Sequence, residues 1–288
     1  MALRLLSYLV AAFLLGGCSM FDFFDEEQPL ESGPPEQLYK EGVAAVKDED
    51  YLLGKKKFEA VDRKHPFSKW ATPSQLNLIY TNFKIEEFEE AISHSERFIR
   101  LHPRHKDVPY AFYMRGLSHY RQVSNANLDQ NQARKAQVAF RELVSRFPDS
   151  DYAWQAEQML VLCQDRLAEQ EMVVARYYLD KNEYIAALNR FDEVIKNPEY
   201  KTTSYFEEAL FSMALASHRL GLKEEARNYS VVLGHNFPEG KFYRLALDLI
   251  EGRSDVTSWT LSGMRKPVEE GDIFQRFIQG MKPGYQPF

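Results

Sequence analysis

Along the chain, apolar positions recur at helical spacing, and nowhere do they alternate as strand positions would. Five prolines punctuate the pattern. Pro66, Pro103, Pro148, Pro198 and Pro238 each close a helical block, at intervals of 37, 45, 50 and 40 residues. Upstream of each stands a pair of mostly small residues: Gly42/Gly54, Ile79/Ala91, Gly116/Ala136, Ala175/Ala187 and Ala214/Ala226. Four of the pairs are 12 residues apart and the third is 20 apart, which places an insertion around residues 125–129. Two antiparallel helices of about a dozen residues approach closely only where their crossing lacks bulk, and a proline then ends the second helix. Rings keep register as well: Tyr51, Phe88 and Tyr184 open second helices, and Phe58, Phe140 and Phe191 sit near their middles. This is a degenerate tetratricopeptide pattern present five times. It predicts an all-α superhelix of five tetratricopeptide-like helix pairs over residues 36–251, with a concave inner surface. No glycine or proline interrupts residues 150–196, so one helix of about 45 Å over residues 151–180 is expected, at 1.5 Å per residue. A break near Glu169-Gln170-Glu171 is the alternative.

The two ends read differently. Arg4 precedes an apolar run from Leu5 to Leu15, and Leu15-Gly16-Gly17-Cys18 closes it. That is the layout of a secretory signal over residues 1–17, with the cysteine at the cut as in bacterial lipoproteins. Cys18 is then the first mature residue and carries thioether-linked diacylglycerol and an N-acyl chain, enough to anchor without spanning. Ser19 after it points to the outer membrane, on the periplasmic face. Residues 18–35 hold Asp22, Asp25, Glu26, Glu27 and Glu31 with no base, then Ser32-Gly33-Pro34-Pro35, the composition of a flexible leash. Residues 252–288 are rich in glycine and proline, yet Ile273, Phe274, Phe277, Ile278 and Met281 share one helical face. A short amphipathic helix of this kind is marginal alone. It suggests a docking tail, with Trp259, Phe274, Phe277 and Phe288 as the contacts.

Composition narrows the function. With 36 Lys and Arg against 42 Asp and Glu, the net charge of −6 gives no footprint for nucleic acid. Two cysteines, Cys18 and Cys163, do not make a disulfide scaffold, and Cys163 within Met159-Leu160-Val161-Leu162 reads as a core residue. Only His102-Pro103-Arg104-His105 brings two histidines together, and the intervening proline breaks ligand geometry, so no metal site is expected. No phosphate loop, metalloprotease helix or nucleophile elbow occurs, and no catalytic residue is assigned. Rings interleaved with bases are densest in the first three repeats. Trp70, Tyr80, Phe83, Arg97, Arg100, Tyr113, Arg115 and Tyr120 are the candidates for a groove that holds an extended peptide, by stacking and by guanidinium forks. Core packing between helices is the competing role for each ring.

Several runs resemble a known family: His65-Pro66-Phe67, Leu78-Ile79-Tyr80, Arg97-Phe98-Ile99-Arg100-Leu101-His102-Pro103, Tyr113-Met114-Arg115-Gly116-Leu117 and Asp165-Arg166-Leu167-Ala168. With the anchor, these are similar to the BamD family, lipoproteins of the outer-membrane β-barrel assembly machinery. The resemblance implies a non-enzymatic scaffold with no cofactor beyond the lipid on Cys18. Its implied partners are BamA, through the POTRA domain nearest the barrel, other Bam lipoproteins, and unfolded outer-membrane barrel proteins. It makes Tyr80, Arg97, Tyr113 and Arg115 groove residues, and Arg219 and Arg227 residues that face BamA. A periplasmic tetratricopeptide adaptor for cell-wall or division machinery shares the anchor and repeats, but not the specific runs.

Overall fold

The computed structural model describes residues 32–123 and 130–253. Among them every regular element is helical. The helices are α1 (Pro35–Lys47), α2 (Tyr51–Lys64), α3 (Ala71–Lys84), α4 (Phe88–Leu101), α5 (Val108–Arg121) and α6 (Asn131–Arg146), followed by α7 (Asp151–Asp180) and α8 (Tyr184–Lys196). A 3₁₀ turn (Pro198–Thr202) leads to α9 (Phe206–Arg219), α10 (Lys223–Asn236) and α11 (Lys241–Ile250). The chain forms two compact units, residues 1–74 and 75–288, and the division falls inside α3. Cys18 and the tail contacts Trp259, Phe274, Phe277 and Phe288 lie outside the described residues, as does the insertion at 125–129.

The chain makes its helix pairs with one repeated turn. Between α1 and α2, α3 and α4, α7 and α8, and α9 and α10, the middle residue has positive φ: Glu49 at 62°, Glu86 at 63°, Asn182 at 61° and Gly221 at 80°. The next residue then donates its N–H back across the helix end, Asp50 to Ala45 O, Glu87 to Asn82 O, Glu183 to Tyr178 O and Leu222 to Ser217 O, at 2.8 to 2.9 Å. These are Schellman closures, which satisfy the last helical carbonyls. Glycine would be the unstrained choice, and only Gly221 follows that rule. The strain at Glu49 and Glu86 is outweighed by the pairing it makes possible.

Four of the five second helices end before their proline in another repeated conformation, and Asn197 before Pro198, at φ −77° and ψ 114°, is the exception. His65, His102, Phe147 and Phe237 have φ between −127° and −137° and ψ between 50° and 61°. The following proline ring excludes a helical conformation there.

All ten residues of the five small pairs are buried. The close contact runs from the first member to a ring one turn beyond the second. A Cβ built on Gly42 would lie 2.8 Å from Phe58 Cε1, and one on Gly116 would lie 2.5 Å from Phe140 Cε1. The expectation that Gly116 opposes Ala136 is thereby refined: the crossing is made for the Phe140 ring, four residues on. In the second repeat Ile79 stands at the glycine's position and buried Ser95 at the ring's. Large and small have exchanged places.

In the second unit, helices pack as successive neighbours from α4 to α10, and α11 rests on α9 and α10. The unbroken α7 has 30 residues. Its Ala156, Met159 and Cys163 enter one apolar cluster with α3–α6, and Leu167, Ala168, Met172, Ala175 and Leu179 enter another with α8–α11. Burial pushes the Cys163 thiol up to about 12, which makes it an inert core group. No described helix is long and apolar enough to cross a membrane.

Candidate functional site

Three helices of the second unit enclose a groove of about 600 Å³. α4 contributes Glu89, Ile92 and Glu96, which share a face at i, i+3 and i+7. From α5 come Arg115 and His119, one turn apart, and from α6 come Arg134, Lys135, Val138, Ala139 and Glu142. The groove thus has two exposed carboxylates on its α4 wall and two exposed bases on its α6 wall. On the α6 wall, one turn from Arg134, Val138 is 61% exposed and adds an apolar side chain.

Arg115 is fixed at the groove edge. Its Nη2 donates to Glu142 Oε2 at 2.7 Å, and its guanidinium lies 4.9 Å from the Phe112 ring centre. Glu142 Oε1 also accepts from Arg146 Nη1 at 2.8 Å. Burial works against the Glu142 carboxylate, yet hydrogen bonds from the two arginines hold it below the usual range. Arg115 Nε is buried and has no hydrogen-bond partner. His119 Nδ1 donates to Gln132 Oε1 at 2.9 Å, and burial holds the imidazole below its ordinary pKa. The assembly can grip and orient a chain bearing both charges and a small apolar group. Among the described residues no group of His, Cys, Asp and Glu is placed to hold a metal.

Of the eight groove residues expected from the sequence, Arg115 alone lines this groove. Tyr113 is corrected to the core: it is 1% exposed, packed against Phe140 and Tyr152. Phe83, 8% exposed, is likewise a core ring, edge-on to Phe88 at 5.7 Å. For Tyr113 the reason lies in the packing of its helix. α5 packs against α4, α6 and α7, so nearly all of its surface is covered. Tyr120 packs against the same cluster, and burial raises its phenol to about 12. Trp70 belongs to the first unit, half-buried and stacked on Tyr39 at 4.9 Å. Tyr80 and Arg97 are half-buried, and Arg100 is exposed on α4. Arg219 ends α9 and Arg227 lies on α10, both exposed.

The sequence reading missed Glu89, Glu96, His119, Arg134, Lys135 and Val138. Their signal was faint. A valine one turn from Arg134 on a polar helix face was the clearest trace.

The His102-Pro103-Arg104-His105 pair is structural. His102 Nε2 donates to Gln75 Oε1 at 2.9 Å, and both imidazoles pack on Phe98.

Residues 31–232 match the family described as YfiO, outer membrane lipoprotein. A BamD of Rickettsia prowazekii, named an outer membrane protein assembly factor, is 35% identical over 244 residues, which cover 84% of this chain and 94% of that protein. The chain belongs to the BamD family. BamD of Caulobacter vibrioides is also 35% identical, over 83% of this chain and 75% of its own length. Among solved structures, the chain is similar to the TPR2AB-domain:pHSP90-complex of yeast Sti1, with 14% identity, a TM-score of 0.39, and coverage of 85% of this chain and 96% of that one. The paired helices, Schellman turns and proline stops are those of a BamD family member, all-α among the described residues.

Proposed function

We propose that this chain is a lipid-anchored scaffold of outer-membrane β-barrel assembly, bound to BamA and to other Bam lipoproteins, and that it holds unfolded barrel proteins or accessory peptides without catalysing a reaction. The observation that carries this reading is the 35% identity to an assembly factor across 94% of that protein's length. The anchor is the acylated Cys18, consistent with the lipoprotein description of the family. The α4–α5–α6 groove is the peptide-holding surface, supported by its opposed charged walls and by the unpartnered Arg115 Nε. Arg219 and Arg227 are exposed, as residues that dock a partner domain must be.

Affinity isolation of the acylated protein from its outer membrane tests the reading. Recovery of an abundant barrel protein with POTRA domains is the expected result, and Arg219→Glu with Arg227→Glu lowers that recovery. Recovery of peptidoglycan enzymes in its place would transfer the chain to the cell-wall adaptor class.

A further inference from the structure

Phe67 is 100% exposed. Nothing in the fold requires a ring there. The residues that follow the corresponding prolines Pro103, Pro148 and Pro238 are Arg104, Asp149 and Glu239, all exposed, and the residue before each proline has the same backbone conformation as His65. The other turns of this shape display charge to solvent, and the first displays an aromatic ring.

The surroundings of that ring are cationic. Arg63 and Lys64 end α2, Lys69 follows two residues after the ring, and all three are exposed. Lys56, also exposed, shares the helix face of Arg63 at i, i+7. Lys69 Nζ lies 5.0 Å from the Trp70 ring centre. Of the nearby acids, Glu59 pairs with Lys55 at 3.9 Å, Asp62 is half-buried, and Glu36 on α1 lies within electrostatic reach of Lys69. An exposed ring among long basic side chains is the arrangement that seats itself at a bilayer surface, the ring among headgroup carbonyls and the bases on phosphates.

Position completes the argument. His65 Nε2 donates to Gly33 O at 3.2 Å, so the tip is pinned to the point where the N-terminal segment enters the unit. Gly33 is only 15 positions along the chain from Cys18, and fully extended that stretch spans at most about 50 Å. We propose that the Phe67 tip, with Arg63, Lys64 and Lys69, rests on the phospholipid surface into which the chain's own lipid inserts. The contact is a second, weak attachment that fixes which end of the first helix pair faces the membrane. It rests on the reading of Cys18 as acylated.

The test uses the acylated full chain in vesicles of phosphatidylethanolamine and phosphatidylglycerol. Phe67→Cys is labelled with an environment-sensitive fluorophore; Cys163 is buried and does not compete. Asp48→Cys, at the other end of the same helix pair, is the control. The label at 67 is expected to shift to the blue and to be quenched at least two-fold by headgroup-proximal nitroxide lipids, while the label at 48 is unaffected. Lys64→Glu with Lys69→Glu is expected to halve that quenching, and added salt to do the same. Vesicles that float the protein while the label at 67 stays in water would overturn the proposal and leave the anchor standing. A label at 67 that responds to a barrel-protein peptide and not to lipid would overturn it in favour of a peptide site. Failure of the acylated chain to float would remove the anchor, and this proposal with it.

Discussion

After α2 the chain runs His65-Pro66-Phe67, and after α4 it runs His102-Pro103-Arg104. The two histidines end their helices with φ of −132° and −127° and ψ of 50° and 51°. From that shared backbone they go to different partners. His65 reaches the backbone of Gly33, whereas His102 reaches the side chain of Gln75 and packs on Phe98. The proline-stopped turn is architecture, repeated at the ends of α2, α4, α6 and α10. The residue one place beyond the proline touches no core, so its identity is left to function. A second comparison sits inside the same two units: Gly42 admits Phe58 in the first, and Gly116 admits Phe140 in the second.

The strongest way to break the interior comparison is Gly116→Leu. Even a bare Cβ lies 2.5 Å from Phe140, so the larger side chain should cost at least about 3 kcal/mol, the upper part of the usual overpacking range. Thermal unfolding reads it as a large loss of Tm. Gly116→Ala should cost more than Gly42→Ala, because the Phe58 contact is looser at 2.8 Å. The reverse order would mean that the two crossings are not the same device.

Arg115→Glu comes next. It removes the hydrogen bond to Glu142 and sets two carboxylates side by side, at a cost of about 1–3 kcal/mol. Arg97→Glu on half-exposed α4 should change stability by under about 0.5 kcal/mol. Denaturant midpoints of the two variants separate Arg115, which lines the groove and also holds the fold, from Arg97, which is not part of that lining.

The histidines of the second unit give a smaller, pH-dependent effect. Burial lowers the pKa of both His102 and His119 from 6.5, so the folded chain favours neutral imidazole. Their contribution is complete above about pH 6.5 and is lost as pH falls through the lowered folded values. Stability should decline on acidification below 6.5, and His102→Gln with His119→Gln should flatten that decline. Melting temperatures measured from pH 7.5 to 5 check it.

The smallest expected change in stability is that of Phe67→Arg, which makes the first turn copy the second. It should alter folding by under about 0.5 kcal/mol, because the ring is wholly exposed. A clear loss of Tm would show that the ring packs after all and would void the comparison of the turns.

The sequence made the repeats legible because prolines and small residues act at fixed offsets, through sterics alone. The long α7 was readable for the same reason, since nothing within it breaks a helix. The left-handed turns at Glu49 and Glu86 were hidden, because a Schellman closure normally advertises itself with glycine. The groove was legible only in Arg115. A ring such as Tyr113 can serve the core or a groove equally well, and the helices packed around α5 decide which. That is tertiary information. The opposed walls of Glu89 and Glu96 against Arg134 and Lys135 emerge only when α4 and α6 are brought alongside α5.

The central claim is that an anchored stack of helix pairs serves barrel assembly through what it displays. The folded fraction of outer-membrane barrel proteins, measured by heat-modifiable mobility while this chain is depleted, tests it most directly. The account predicts that folded barrels fall and that unfolded precursors accumulate. The wild-type chain should restore them fully, and Cys18→Ser only in part. Unchanged barrel folding under full depletion would contradict the account.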